Sequence, residues 1–161
     1  MVNNYILDSN MLISFLNEKD NNHTKASDIF RSIVGANNRN IYIAKVSIYE
    51  CMVILSRSGY SMSQLKDIFF YLGSNYKIVD LSEVASFRHI DNLLNKENIN
   101  NNEILRTNDF IISSIAIDFD AKLVTFDEKM KGKISKIYPA APVIITLFLS
   151  ILLIILFKII Y

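Results

Sequence analysis

The sequence is poor in the residues on which several common kinds of site depend. Its one cysteine, Cys51, has no partner in the 161 residues, which excludes an internal disulfide and is compatible with a reducing cytoplasm. Two histidines, His23 and His89, are too few and too isolated for a zinc site or a histidine base. The chain has only four glycines, and none follows the first predicted strand in the pattern of a phosphate-binding loop. These shortages count against disulfide scaffolds, zinc enzymes and nucleotide-cofactor enzymes.

An excess of either charge is also missing. Lysine and arginine total 17 against 16 acidic residues, so the formal net charge is +1. Net charge therefore gives no sign of nucleic-acid binding, and any RNA contact must come from local patches or from metal ions. With 51% hydrophobic and 20% charged positions, the chain is long enough for one domain with a core, plus an appendage.

The C-terminal end of the chain is strongly hydrophobic. Residues 143–157 are apolar except for Thr146 and Ser150. A helix from residue 143 to Tyr161 would be about 28 Å long at about 1.5 Å per residue, which just reaches across a hydrocarbon core. Lys158 lies near the end, where its ammonium can extend into the lipid headgroups. The segment predicts one transmembrane helix; packing in a dimer or on a partner protein is the alternative.

Two prolines separate this segment from the rest of the chain. Pro139 and Pro142 would end the preceding element and favour a new helix after them. We expect a domain over residues 1–139 and a membrane anchor over residues 140–161, which would contact lipid through residues 143–161. A basic cluster lies just upstream, at Lys129, Lys131, Lys133 and Lys136. By the positive-inside rule, this cluster predicts a membrane-anchored protein with its domain in the cytoplasm.

Apolar periodicity and capping residues predict the elements of the first 139 residues. Strands are expected at residues 5–7, 41–44, 77–79, 121–125 and 134–138, and helices at 11–16, 23–34, 46–57, 61–72, 82–96 and 108–118. This alternation indicates an α/β domain with a mainly parallel sheet, in which sites form outside the carboxyl ends of the strands. Four aromatic residues are predicted to be core rather than a base-stacking platform: Phe69, Phe70, Tyr71 and Tyr76.

Two acidic residues in the first third of the chain occupy positions that suit a site. Asp8 ends the first predicted strand, although an aspartate there can equally cap the short helix that follows. Glu50 is the only carboxylate in the apolar run 46–55. A carboxylate on such a helix is costly unless a cation pairs with it. That cation is either a metal ion or Arg57, seven residues further on.

Two further acids follow the same pattern in the second half of the chain. Asp109 lies in the first turn of a helix for which Thr107 reads as the N-cap, and the helix dipole alone would favour an acid there by about 0.3–1 kcal/mol. Asp127 comes just after the predicted strand 121–125 and can cap the next turn. Each acid taken alone has an ordinary structural explanation.

Taken together, the four acids predict a metal site. Carboxylates at strand ends and helix starts of one α/β sheet converge on a single edge, where like charges repel and raise one another's pKa. Such a cluster needs a cation, and hard oxygen ligands select Mg²⁺ or Mn²⁺. A metal ion held this way can activate water and orient a phosphate, which indicates phosphodiester hydrolysis.

Four stretches of the sequence match a known family: Leu7-Asp8-Ser9-Asn10, Ser47-Ile48-Tyr49-Glu50, Thr107-Asn108-Asp109-Phe110-Ile111-Ile112 and Ala121-Lys122-Leu123-Val124-Thr125-Phe126-Asp127. In order and spacing, the chain resembles the PIN domains over residues 1 to about 139. These nucleases include the toxins of VapBC-type toxin–antitoxin pairs and ribosomal-RNA processing factors. The resemblance implies a three-layer α/β/α domain with a mainly parallel sheet, here followed by one C-terminal transmembrane helix.

The resemblance also implies roles for seven residues. Asp8, Glu50 and Asp109 would bind the metal, and Asp127 would complete the site directly or through water. Three neighbours would help to arrange the acids: Asn10, Asn108 and Thr125.

The activity that the resemblance implies is cleavage of single-stranded or structured RNA with Mg²⁺ or Mn²⁺. Family members often dimerise, so a homodimer is an expected assembly, and a toxin would have an antitoxin protein as a partner. The hydrophobic tail departs from the usual small toxin. We therefore expect a membrane-tethered endoribonuclease, with a catalytically silent RNA-binding or scaffold module and a toxin as the alternatives.

Overall fold

A computed structural model of the chain describes residues 2–80, 82, 106–137 and 143–144. The described strands are β1 (Asn3–Leu7), β2 (Arg39–Ala44), β3 (Lys77–Val79), β4 (Ala121–Val124) and β5 (Val143–Ile144). The described helices are α1 (Ser9–Leu16), α2 (His23–Gly35), α3 (Lys45–Arg57), α4 (Met62–Asn75), α5 (Thr107–Asp118) and α6 (Glu128–Ile137). The predicted helix over residues 82–96 lies outside the described residues, apart from residue 82.

The five described strands form one sheet in the order β3-β2-β1-β4-β5. All four neighbouring pairs are parallel, which confirms the predicted α/β domain with a parallel sheet. At the centre, Leu7 at the end of β1 is in register with Ile43 of β2 and with Val124 of β4. The carboxyl ends of these three strands are therefore adjacent, and the residue after β1 lies in the middle of that edge.

Side-chain alternation along the strands divides the core into two clusters. Tyr5 and Leu7 point into a cluster with residues of α1, α2, α3 and α4, whereas Ile6 points into a second cluster with residues of α5 and α6. Because successive residues of a strand face opposite sides, one short apolar strand can bury both faces of the sheet. The described part of the chain is thus a three-layer α/β/α arrangement, as expected.

The predicted strand at residues 134–138 is wrong, because this part of the chain begins within a helix. α6 runs from Glu128 to Ile137. Met130 and Ile134 are four residues apart and both are buried against the α5 side of the sheet, which is the spacing of one helix face. In the sequence, Ile134 and Ile137 are three residues apart, which also fits a helix better than the alternation of a strand.

The start of the predicted hydrophobic helix is also corrected. Val143 and Ile144 form β5 and pair in parallel with Leu123 and Val124, so the sheet extends past residue 139. The rest of the predicted anchor, residues 145–161, lies outside the described residues. Among the described residues, no helix is long and apolar enough to cross a membrane.

The aromatic residues of α4 do not belong to the core. Phe69, Phe70 and Tyr71 are 47%, 76% and 42% exposed, so the prediction that they are core is wrong. α4 buries only Leu65 and Leu72, which leaves most of its circumference in solvent. Tyr76 follows the helix and packs partly buried against the core, its ring 5.6 Å from that of Phe30.

Candidate functional site at the carboxyl edge of the sheet

The four predicted acids all lie at or near the carboxyl edge of the sheet. Asp8 directly follows β1, and Asp127 comes three residues after β4. Glu50 is in the second turn of α3, which begins directly after β2. Asp109 is in the first turn of α5. We refer to these four carboxylates as the acidic site.

Asp8 is the most deeply buried member, with 3% of its surface exposed. One carboxylate oxygen accepts hydrogen bonds from the backbone N–H of Ser9 at 2.7 Å and from the Ser9 hydroxyl at 3.3 Å. The other accepts one from the hydroxyl of Thr125 at 2.8 Å. Asp8 therefore does cap α1, while its second oxygen is held by a residue 117 positions away. Ser9 is not among the predicted site residues, although Asp-Ser at a helix start is a capping signal.

Burial dominates the ionisation of Asp8. It raises the pKa of this carboxyl from 3.8 to about 6, against the opposing effect of the hydrogen bonds from Thr125 and Ser9. The negative charge of Asp109 raises the pKa further. The folded domain thus holds at its centre a carboxylate that is poorly solvated and faces a second one.

Asn10 and Thr125 join the start of α1 to the loop after β4. The Asn10 side-chain oxygen accepts a hydrogen bond from the backbone N–H of Phe126 at 3.1 Å, and its amide nitrogen donates to the Thr125 hydroxyl at 3.2 Å. The same hydroxyl accepts a bond from the backbone N–H of Asp127 at 3.0 Å. Movement of the start of α1 or of the loop after β4 would therefore displace both Asp8 and Asp127.

Glu50 has an amide partner rather than a basic one. Its carboxylate accepts a hydrogen bond from the side-chain amide of Asn108 at 3.3 Å. The ion pair with Arg57, the alternative explanation for this partly buried acid, is not formed by these two described residues. Glu50 thus connects α3 to the start of α5, next to Asp109.

The pKa of Asp109 is raised by its surroundings. Burial has the largest effect, and the negative charges of Asp127 and Glu50 raise the pKa as well, whereas the nearby Arg106 lowers it. Arg106, not Thr107, is the N-cap residue of α5, and its own side chain makes no capping hydrogen bond. This corrects the predicted cap by one residue and leaves Asp109 in the first turn, as expected.

Asp127 caps α6. One of its carboxylate oxygens accepts hydrogen bonds from the backbone N–H groups of Lys129 at 2.8 Å and Met130 at 2.9 Å. Both bonds use the same oxygen, and the second oxygen has no hydrogen bond from the residues that the structure describes. Capping and site membership are therefore compatible for Asp127, as they are for Asp8.

The acidic site has an excess of negative charge. Within the described ranges, no member of the site takes part in an ion pair. The donor set consists of hard oxygen atoms, which fits Mg²⁺ or Mn²⁺ in chemistry and in charge. The side chains are nevertheless spread apart, because no three acidic, histidine or cysteine side chains of the described residues are close enough to hold a metal ion. Binding would require the side chains to move toward the ion, which partly exposed carboxylates can do by changing rotamer.

A Thr125→Val substitution tests how strongly the Thr125 hydroxyl controls Asp8. Valine keeps the shape of the side chain but cannot donate to the Asp8 carboxylate, so the pKa of Asp8 should rise above its present value of about 6. The loss of the buried hydrogen bonds should also lower the free energy of unfolding by about 1–3 kcal/mol. Carboxyl NMR titration and urea denaturation would measure the two effects. Thr125→Ser keeps the hydroxyl and is the matched control; equal behaviour of the two variants would contradict the assigned role.

Comparison with known proteins is consistent with this architecture. The family model described as PIN domain matches residues 5–133. The crystal structure of Mycobacterium tuberculosis VapC20, described as a Sarcin-Ricin loop cleaving toxin, has a TM-score of 0.60 and 10% identity, covering 80% of this chain and 93% of that one. VapBC2 from Rickettsia felis, solved bound to a DNA fragment from its promoter, has a TM-score of 0.56 and 23% identity, covering 80% and 92%. These two likenesses show the fold. No curated protein matches the chain.

Proposed function

The chain belongs to the PIN domain family, and on that premise we propose that it is a metal-dependent endoribonuclease that hydrolyses RNA phosphodiester bonds at the acidic site. One observation carries the proposal: four carboxylates lie at the carboxyl edge of the sheet, and none of them forms an ion pair with another described residue. A carboxylate as buried as Asp8 is costly to ionise unless a cation joins it. Such an arrangement is a candidate for function rather than for stability.

The ion would be Mg²⁺ or Mn²⁺, held by Asp8, Glu50 and Asp109, with Asp127 contributing directly or through water. When bound, it would supply positive charge for the phosphate oxygens and an activated water. Ser9 and Thr125 hold the two oxygens of Asp8 in place.

Two side-chain amides form hydrogen bonds next to the acids. Asn108 donates a hydrogen bond to one oxygen of Glu50, and Asn10 accepts one from the loop that carries Asp127. These bonds would limit the movement that the acids need when the ion binds.

Cleavage by the full-length chain tests this proposal. Structured and single-stranded RNAs incubated with Mn²⁺ or Mg²⁺ should be cut, and EDTA should stop the reaction. Glu50→Gln should lower the rate on the order of 100-fold, because one ligand loses its charge. Glu18→Gln, an exposed acid after α1, is the matched control and should cleave normally. Metal binding measured by calorimetry without cleavage of any RNA would instead favour the catalytically silent RNA-binding or scaffold module.

A toxin of a toxin–antitoxin pair is the second candidate function. It is favoured by the likeness of the fold to VapC20 and to the VapC component of VapBC2. The partner would be an antitoxin protein that covers the acidic site, and the toxin could act as a homodimer. Induced expression of the full chain should then arrest growth, and expression of an inactive variant should not. Unimpaired growth with active protein present would count against this role.

A further inference from the structure

One buried hydroxyl at the start of α3 has no hydrogen-bond partner. Ser47 is the third residue of this helix and is fully buried. Among the described residues, its hydroxyl is the one buried side-chain polar group that makes no hydrogen bond. Such a group has lost its bonds to water and gained none in return, so it lowers the stability of the fold. It therefore points to a ligand, a water molecule or a moving side chain that completes its bonding.

The position of Ser47 in the chain explains why its hydroxyl is left without a partner. A serine inside a helix can donate to the backbone carbonyl four residues before it, as Ser114 of α5 does to Phe110. The residue four positions before Ser47 is Ile43, which belongs to β2 and pairs with both neighbouring strands. Its carbonyl does not lie along the axis of α3. The usual local bond of a helical serine is therefore not formed by Ser47.

The acid closest to this hydroxyl along α3 is Glu50. Residues three apart on a helix have Cβ atoms about 5–6 Å from one another. Long helical side chains also lean toward the N-terminus of their helix, so the side chain of Glu50 extends toward the turn that holds Ser47. Glu50 is the only carboxylate in the run 46–55. A change in its side-chain rotamer is enough to bring a carboxylate oxygen within reach of the hydroxyl.

Glu50 has the freedom to make this movement. It is partly exposed, and its bond from Asn108 is long, at 3.3 Å, and occupies only one of its two oxygens. The other oxygen accepts no hydrogen bond from the residues that the structure describes. The acids of the described ranges are too far apart to hold an ion in common, so binding requires the side chain of Glu50 to turn.

We propose that the Ser47 hydroxyl holds Glu50 in its metal-binding position. In that position one oxygen of Glu50 faces the ion and the other accepts a hydrogen bond from Ser47. The hydroxyl is thus unpaired in the metal-free domain and paired in the metal-bound one, so completing its bonding favours binding. Ser47 is a positioning residue and contacts neither the ion nor RNA. This inference rests on the proposed nuclease function.

A Ser47→Ala substitution in the full chain tests the inference through two measurements that do not depend on cleavage. The affinity for Mn²⁺, measured by calorimetry, should fall by about 10-fold to 100-fold, as is typical when the partner of a metal ligand is removed. The midpoint of urea unfolding in EDTA should rise, because alanine buries no unpaired hydroxyl. A serine with a purely structural role would give a lower midpoint and an unchanged affinity.

Two further variants separate the hydroxyl from other effects of the substitution. Ser47→Thr keeps the hydroxyl, so it should bind Mn²⁺ like the unsubstituted chain even where the added methyl group lowers its stability. Ser114→Ala is the matched control, because Ser114 is a buried helical serine whose hydroxyl is already bonded. It should leave Mn²⁺ affinity unchanged and raise the unfolding midpoint less than Ser47→Ala does.

The outcomes separate this inference from the proposed function. If the unsubstituted chain binds Mn²⁺ and cleaves RNA while Ser47→Ala binds the ion with unchanged affinity, the inference is overturned and the nuclease function stands. A lower unfolding midpoint of Ser47→Ala in EDTA would show that the hydroxyl is already bonded in the metal-free domain, and would also overturn it. An equal loss of affinity in Ser47→Thr would assign the effect to packing instead. A chain that binds no Mn²⁺ would overturn both.

Discussion

An Asp8→Asn chain is expected to lose RNA cleavage and, at the same time, to become more stable when no metal is present. The loss should be on the order of 1,000-fold, because a charged group at the centre of the proposed metal site becomes neutral. The gain in stability has a separate cause. Folding forces the Asp8 carboxylate out of water and toward Asp109, which raises its pKa to about 6.

The size of that gain follows from the pKa shift. A shift from 3.8 to about 6 corresponds to on the order of 3 kcal/mol of unfavourable free energy at neutral pH. Asparagine avoids this cost and is also a good N-cap, so the bond from the Ser9 N–H is retained. Weaker hydrogen bonds to a neutral amide offset part of the gain, which leaves about 1–2 kcal/mol. Urea denaturation at pH 7 in EDTA would measure it.

A matched aspartate provides the control for this pair of effects. Asp28 is exposed on α2 in an ion pair with Arg31, and Asp28→Asn should change neither cleavage nor stability appreciably. Adding Mn²⁺ should raise the unfolding midpoint of the unsubstituted chain and of Asp28→Asn but not of Asp8→Asn. An Asp8→Asn chain with undiminished cleavage would remove Asp8 from the proposed site.

Metal affinity and metal-free stability are expected to respond to pH in opposite directions. Protons compete with the ion for Asp8, whose pKa is about 6, so affinity for Mn²⁺ should fall at least about tenfold between pH 7 and pH 5. The pKa of Asp109 is also raised, chiefly by burial, which makes the fall steeper. Calorimetry in buffers of different ionisation enthalpy would give both the affinity and the number of protons released.

The stability of the metal-free domain should change with pH in the opposite direction to its metal affinity. The folded-state pKa of Asp8 lies above its unfolded value, so its stabilising contribution is complete below about pH 4 and is lost as pH rises through about 6. In EDTA, the contribution of Asp8 to the free energy of unfolding should therefore be smaller at pH 7 than at pH 5. Asp8→Asn should remove most of this dependence. A metal affinity that is independent of pH over this interval would show that Asp8 is not a ligand.

Several parts of the fold were predictable because they depend on local periodicity. α2, α3, β2 and β3 lie within a few residues of their predicted bounds, since apolar spacing distinguishes strands from helices over short ranges. The prediction was wrong where apolar periodicity was uninformative. Residues 134–138 form a very short segment, and residues 143–144 begin a long apolar run in which no polar residue marks a period. In both segments the identity of the element depends on the partner against which it packs.

The sequence by itself determined which residues stand at the ends of strands and at the starts of helices, because capping and periodicity are read within one turn or one pleat. It thereby specified Asp8, Glu50, Asp109 and Asp127 as residues that a parallel sheet would bring to one edge. Only the tertiary structure decided that β1 lies between β2 and β4, and hence that the Thr125 hydroxyl is 2.8 Å from Asp8. Strand order depends on the packing of distant segments in three dimensions, which no local pattern encodes.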